Sequence, residues 1–191
     1  MNKPPFPGIL ALVCLPILAV LGSATAAVAQ DLDPEVKEAY FRAVAQYFEV
    51  PSDEVAIVGD WDLAADEVPV VLFIAGRAGV SPDALIGLRH RGTSWHDVAR
   101  QLGLGSRNFH VPLPEGEPLG PLAQVYGRFR EEHPRNWNQI ELQDPDIVFM
   151  VNIRVLSEQV GVPPIRVLQA RIESGSFAAG YVKLIGPPGI V

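Results

Sequence analysis

Residues 77–104 read RAGVSPDALIGLRHRGTSWHDVARQLGL, and the punctuation in this stretch decides the fold. Gly79 stops one helix, since glycine takes the left-handed backbone of a helix C-terminus without steric cost. Ser81-Pro82-Asp83 opens the next with a cap, a proline where no N–H is needed, and an acid in the first turn. Gly92 closes it. Ser94, three residues before Asp97, opens a third helix with the spacing of a capping box whose acid is one methylene short, and Gly103 ends it.

The same grammar holds outward in both directions. Asp33-Pro34-Glu35 starts a helix to about Phe48, with Tyr40, Phe41, Val44, Tyr47 and Phe48 on one buried stripe. A short helix from Ser52 to Val58 ends in the turn Gly59-Asp60-Trp61-Asp62, with Trp61 tucked into the core. Asp66 caps a helix through Ala78 that carries Pro69 in its first turn. Residues 105–121, GSRNFHVPLPEGEPLGP, hold four prolines and form a long irregular arm, partly extended around FHVPL. Pro121 restarts a helix to about Glu132, and Pro134 ends it. Asp144-Pro145 opens a helix to Val160, stopped by Gly161. Pro164 opens one to about Glu173, stopped by Gly175, and Ser176 opens the last, to near Ile185.

Two runs, VPVVLFI and DIVFMVNI, are rich in β-branched residues and raise the question of strands. Neither alternates apolar with polar. Each follows a helix start and reaches a glycine at helical length, so both read as helices.

An offset of 82 positions aligns two stretches of the chain. Gly79, Val80, Pro82, Arg89, Ser94 and Leu102 fall on Gly161, Val162, Pro164, Arg171, Ser176 and Leu184. Leu85, Ile86 and Trp95 fall on Val167, Leu168 and Phe177. The matches sit at helix ends and on buried faces, so duplication of a three-helix unit is expected. A fainter partial copy lies at FEVPSDEV, residues 48–55, where Val50 and Asp53 sit 30 positions before Val80 and Asp83.

The unit AGVSPDALIGLRHRGTSWHDVARQLGL resembles those of a group of exported bacterial helical-repeat proteins, which carry such repeats around a proline-rich middle. That resemblance spans nearly the whole chain after its first segment. It implies export and a fold and lends no catalytic residues. The same stretch alone resembles the helix-turn-helix of resolvases and transcription regulators, which implies DNA binding through Arg89, Arg91 and Arg100.

The first 29 residues have the layout of a secretory signal. Lys3 precedes the apolar run Ile9–Leu21, which leads to Ala27-Val28-Ala29, so cleavage is expected between Ala29 and Gln30. The run is too short to span a bilayer, which takes about 20 residues, and Pro16 interrupts it. Cys14 lies mid-run behind Val13, which does not fit a lipoprotein signal. Cleavage leaves 162 residues, no cysteine and no membrane span. Disulfides then play no part, and packing alone must hold the fold.

The expected fold is all-α: two related three-helix, helix-turn-helix-like units joined by a proline-rich arm, after a signal peptide at 1–29. Within a single helical domain at 30–185, acidic helices occupy 30–65 and the first unit 66–104. The arm and its helix occupy 105–143 and the second unit 144–185; 186–191 is a loose tail.

The chain has a net charge of −7, and loss of Lys3 takes it to −8. Residues 30–68 carry 11 acids and 2 bases, while 69–107 carry 5 bases and 2 acids, so mutual neutralisation within one fold is expected. Overall acidity argues against nucleic acid and anionic membranes as partners. Export would also remove the chain from the chromosome.

Catalytic constellations are scarce. His90, His96, His110 and His133 form no H-E-x-x-H, and the glycine break between His90 and His96 keeps them off one helix face. No G-x-S-x-G, phosphate loop or dinucleotide fingerprint occurs, and Ser174-Gly175-Ser176 reads as a stop and a cap. No catalytic residue, metal ligand or cofactor is therefore assigned. Asp60-Trp61-Asp62 has the chemistry to hold a cation or a sugar ring but reads better as a solvated turn.

The arm is the best candidate for binding, through Phe109, His110, Val111, Leu113 and Trp137, because long irregular loops in compact domains are often functional. The competing and favoured reading is a strap that buries Phe109, Val111 and Leu113. The expected role is binding or scaffolding in the cell envelope, with another envelope protein as partner. An envelope enzyme with a site of distant His and Asp residues is the alternative, and nucleic-acid binding comes third. The oligomeric state stays open.

Overall fold

Asp33 accepts the N–H of Glu35 at 2.9 Å, and helix α1 runs from there over Pro34–Phe48. The computed structural model describes residues 32–186; the expected signal segment, its cleavage pair Ala29 and Gln30, and the tail beyond Gly186 lie outside it. There follow α2 (Ser52–Gly59), α3 (Val68–Ala78), α4 (Pro82–His90), α5 (Trp95–Gln101), α6 (Ala123–Glu131), α7 (Asp144–Val160), α8 (Pro164–Ser174) and α9 (Phe177–Ile185). Short 3₁₀ turns lie at Ala65–Glu67, Ser106–Asn108, Gly120–Leu122 and Pro134–Gln139. The described residues are all helical in class and contain no strand. No helix among them is long and apolar enough to cross a membrane.

The β-branched runs became α3 and α7 because they are buried almost all round. Val68, Val70, Val71 and Ile74 of α3 and Ile147, Met150, Ile153, Val155 and Leu156 of α7 are inaccessible to solvent. A β-branched residue costs at most about 0.7 kcal/mol in helix propensity, whereas burying it yields about 1.5–3 kcal/mol. Burial decides. Helix α7 is the axis of the molecule, packed against α1, α3, α5, α8 and α9. Its one fully buried polar side chain, Asn152, is satisfied. It accepts from the Tyr40 hydroxyl and donates to the carbonyls of Asp66 at 2.7 Å and Val148 at 2.8 Å.

Helix ends separated by 82 positions have the same form. Gly79 ends α3 at φ 68° and Gly161 ends α7 at φ 73°, each in the left-handed region. Ser94 accepts the N–H of Asp97 at 3.1 Å, and Ser176 accepts that of Ala179 at 3.1 Å.

Asp66 behaves differently from expectation. It does not cap α3, where Pro69 removes one of the two N–H groups such a cap would reach. Its carboxylate instead accepts the N–H of Phe177 at 3.2 Å, at the start of α9, and faces Arg171 at 3.5 Å. Asp144 mirrors this. It accepts the N–H of Trp95, at the start of α5, at 2.6 Å and pairs with Arg89 at 2.7 Å. Each carboxylate therefore sits at the entry to one long buried helix and caps the third helix of the other group.

The surroundings of the two arginines differ. Arg89 lies over Trp95 at 4.7 Å and also pairs with Glu67 at 2.7 Å. Arg171 lies over Phe149 at 5.0 Å and Phe177 at 5.3 Å. Phe149 stands 82 positions after Glu67: an acid accompanies the indole that has an N–H to satisfy, and a phenyl ring accompanies the phenyl ring that has none.

Among the described residues, the expected neutralisation of acidic front by basic middle is confined to Glu67 and Arg89. Asp66 turns to Arg171 in α8, and Lys37–Asp60 and Arg42–Glu38 pair within the front itself.

Candidate functional site

The arm is anchored before it reaches the surface. Gly105 lies so close to Asn138 that a Cβ would come within 2.4 Å of its Oδ1, so only glycine fits. Asn138 accepts the N–H of Arg107 at 3.2 Å, and the Ser106 hydroxyl donates to the carbonyl of Ile140. These contacts tie the start of the arm to the turn Pro134–Gln139.

Beyond this anchor the side chains alternate. Phe109 and Val111 are buried, with Phe109 against Phe73 at 5.5 Å between centroids; His110 and Leu113 are half-buried and Pro112 is exposed. The backbone between them cannot form helical bonds through the prolines, so its carbonyls need other donors. Arg154 of α7 donates to the carbonyls of His110 at 2.8 Å and Phe109 at 3.3 Å, and the Tyr126 hydroxyl donates to that of Val111 at 2.5 Å. The strap reading thus holds for Phe109 and Val111.

His110 points to the other side. Its ring lies 4.3 Å from that of Trp137, 4.8 Å from Phe129 and 5.5 Å from Tyr126. Trp137 reaches it because Pro134–Gln139 folds back on the end of α6, where the indole N–H donates to the carbonyls of Phe129 at 3.0 Å and Glu132 at 3.2 Å. The indole satisfies two carbonyls that a helix end leaves open.

The outcome is a recess of about 360 Å³ with an aromatic floor and a mixed rim. Tyr126 and Phe129 are its buried floor, Trp137 and His110 its half-exposed platform, and Glu115, Arg130 and Glu132 stand at the edge. The Tyr126 hydroxyl and Trp137 indole N–H are bonded to backbone, while the His110 imidazole has no protein partner among the described residues. Burial, with the Arg154 charge behind it, lowers the imidazole's basicity, so the ring is neutral at neutral pH.

Three of the five residues expected to bind, His110, Leu113 and Trp137, meet in this recess, while Phe109 and Val111 belong to the core. Tyr126 and Phe129 went unnoticed because their i, i+3 spacing signals burial, and both are in fact buried. Arg154 gave no signal, since only the tertiary fold brings it to the arm.

The three arginines considered for nucleic acid divide. Arg89 is engaged by Glu67, Asp144 and the carbonyl of Thr93, and Arg100 pairs with Asp97 at 3.2 Å; Arg91 is exposed. His96 lies in a separate depression with Asp97, Glu141 and Asp144, and does not meet His110. Among the described residues, no three His, Cys, Asp or Glu side chains converge as a metal set. Trp61 is half-buried against the core between exposed Asp60 and Asp62, and its carbonyl contacts His90 at 3.0 Å.

Comparison of the chain with family models, with curated proteins and with solved structures gives no match in any of the three.

Proposed function

We propose that this chain is an exported envelope protein with a binding or scaffolding role, acting through the recess around His110 and Trp137. Export rests on the signal-like order of residues 1–29: one basic residue, an apolar run and a small-residue cleavage motif. Duplication of a three-helix unit is supported by the matching glycine stops, serine caps and crossed Asp66 and Asp144 contacts at corresponding helix ends.

One observation carries the binding role. The Tyr126 hydroxyl and the Trp137 indole N–H are bonded to backbone, yet Trp137 and His110 stay only half-buried where they line the recess, and the His110 imidazole has no protein partner among the described residues. A core needs no such opening, whereas ligand sites combine apolar walls with a few oriented polar groups. For an envelope enzyme the corresponding signal would be histidines sharing a cleft, but His96 and His110 occupy different ones.

Deleting the arm would strip Phe109 and Val111 from the core, so point changes are the better instrument. A photo-crosslinking amino acid at exposed Glu115, in the exported protein in cells, should capture an envelope component. Capture should fall when Leu113→Asp is added. Recovery of the unprocessed protein from the cytosol, or crosslinking unaffected by Leu113→Asp, would refute the proposal.

A further inference from the structure

We infer that the recess takes a neutral sugar ring, a pyranoside unit of a glycan, stacked on Trp137 and hydrogen-bonded by His110 and the charged rim. This rests on the binding role proposed above and names the class of ligand. The recess is small, about 360 Å³, near the lower end of the range of about 300–1,000 Å³ for small-molecule sites. It accommodates one ring rather than a helix face. Glu115, Arg130 and Glu132 stand at its rim, which disfavours a purely hydrocarbon ligand.

Charge narrows the choice. Glu115 and Glu132 oppose an anion, and Arg130 opposes a cation within the same recess. A neutral ligand bearing many hydroxyls turns both signs to use, donating to the carboxylates and accepting from the guanidinium, and such charge-assisted bonds are stronger than neutral ones. The imidazole of His110 is neutral at neutral pH and offers one donor and one acceptor.

A pyranose also has an apolar face of C–H bonds, slightly positive, that matches the negative face of an aromatic ring. Trp137 is set for this. Its N–H is held by two carbonyls, which fixes the ring plane, and it is half-exposed beside His110. Little side-chain freedom is then lost on binding.

The test is a titration of the mature chain, followed by NMR, with maltotriose, cellotriose and chitotriose, and separately with a decaproline peptide. Among the three tryptophans, the Trp137 indole signal should shift with at least one saccharide, together with His110, while those of Trp61 and Trp95 stay in place. Glu115→Gln combined with Arg130→Ala alters two exposed side chains and should weaken that saccharide about tenfold with no change in Tm. Trp137→Ala should abolish the saccharide-induced shift of His110, with the melting temperature recorded because the Trp137 indole also holds the end of α6. Response to the proline peptide alone would overturn the sugar assignment while keeping a binding recess. No response to any probe at millimolar concentration would overturn the assignment, and the crosslinking experiment then decides the binding role separately.

Discussion

Glu67 accepts the indole N–H of Trp95 at 2.8 Å. The same carboxylate pairs with Arg89, whose guanidinium lies over the Trp95 ring, so one acid serves both a buried donor and a stacked cation. Glu67→Ala should cost about 2 kcal/mol, since a buried indole N–H left without a partner costs about 1–3 kcal/mol and Arg89 keeps Asp144. In a Trp95→Phe background the donor is gone, and Glu67→Ala should cost clearly less. Urea unfolding of the four proteins checks this. Equal costs in both backgrounds would show that the indole contact carries no energy.

Asp66 supplies the corresponding test for the second half of the fold. Asp66→Ala removes the acceptor at the start of α9 and, among the described residues, the only charge partner of Arg171, whose Nε lacks a hydrogen bond. A loss of about 1–2 kcal/mol is expected, in the range of a lost cap. Burial raises the Asp66 carboxyl above its ordinary range despite Arg171, so the ionised form is held at some cost. Asp66→Asn keeps an acceptor oxygen without that cost and should destabilise less than Asp66→Ala. Equal losses in the two variants would mean that the charge facing Arg171, rather than the cap, holds α9.

These two acids also show how far the sequence could be read. Helix ends were legible because glycine, proline and serine act through local backbone geometry, and α3, α4, α7, α8 and α9 end close to where that geometry puts them. Asp66 was misread for a non-local reason: a side chain beside a helix start can serve a different helix, and no spacing reveals which. The turn Pro134–Gln139 was missed although His133 and Pro134 are a cap and a proline start, His133 accepting the N–H of Arg135 at 3.2 Å. The recess was half legible. His110 and Trp137 were visible as polar-edged aromatics outside any stripe, whereas Tyr126 and Phe129 looked like core because they are core, and Arg154 meets the arm from 44 residues away.

Tyr126 joins the arm to the recess floor through its hydroxyl and the Val111 carbonyl. Tyr126→Phe preserves the ring and removes that bond, leaving a buried carbonyl with one donor fewer. The expected cost is about 1 kcal/mol in global stability. Amide exchange should localise the effect. The amides of His110 and Val111 should exchange faster, with those of α7 changed only by the global amount. Uniform acceleration across the whole chain would show that the arm has no local mobility for this bond to restrain.

His110 makes stability depend on pH in a defined direction. Its ring is packed by Tyr126, Phe129 and Trp137, with Arg154 of α7 behind it and Glu115, Glu132 and Arg130 at the rim. Burial first, and the Arg154 charge second, lower its native pKa below the ordinary value of about 6.5. Between the lowered native value and the unfolded value the unfolded chain binds the proton more readily, so acid favours unfolding there. The stabilisation from the neutral ring is fully present above about pH 6.5 and is lost as pH falls toward the lowered native value. His110→Phe keeps an aromatic ring in place and removes the titration. Urea midpoints of the native chain should therefore drop more between pH 7.5 and pH 5 than those of His110→Phe, and the His110 ring carbon shifts should titrate below those of a model peptide. Parallel midpoints for the two proteins would show that the cage leaves the imidazole solvated, and a His110 shift that titrates above the peptide value would show that Glu115 and Glu132 at the rim outweigh burial and Arg154.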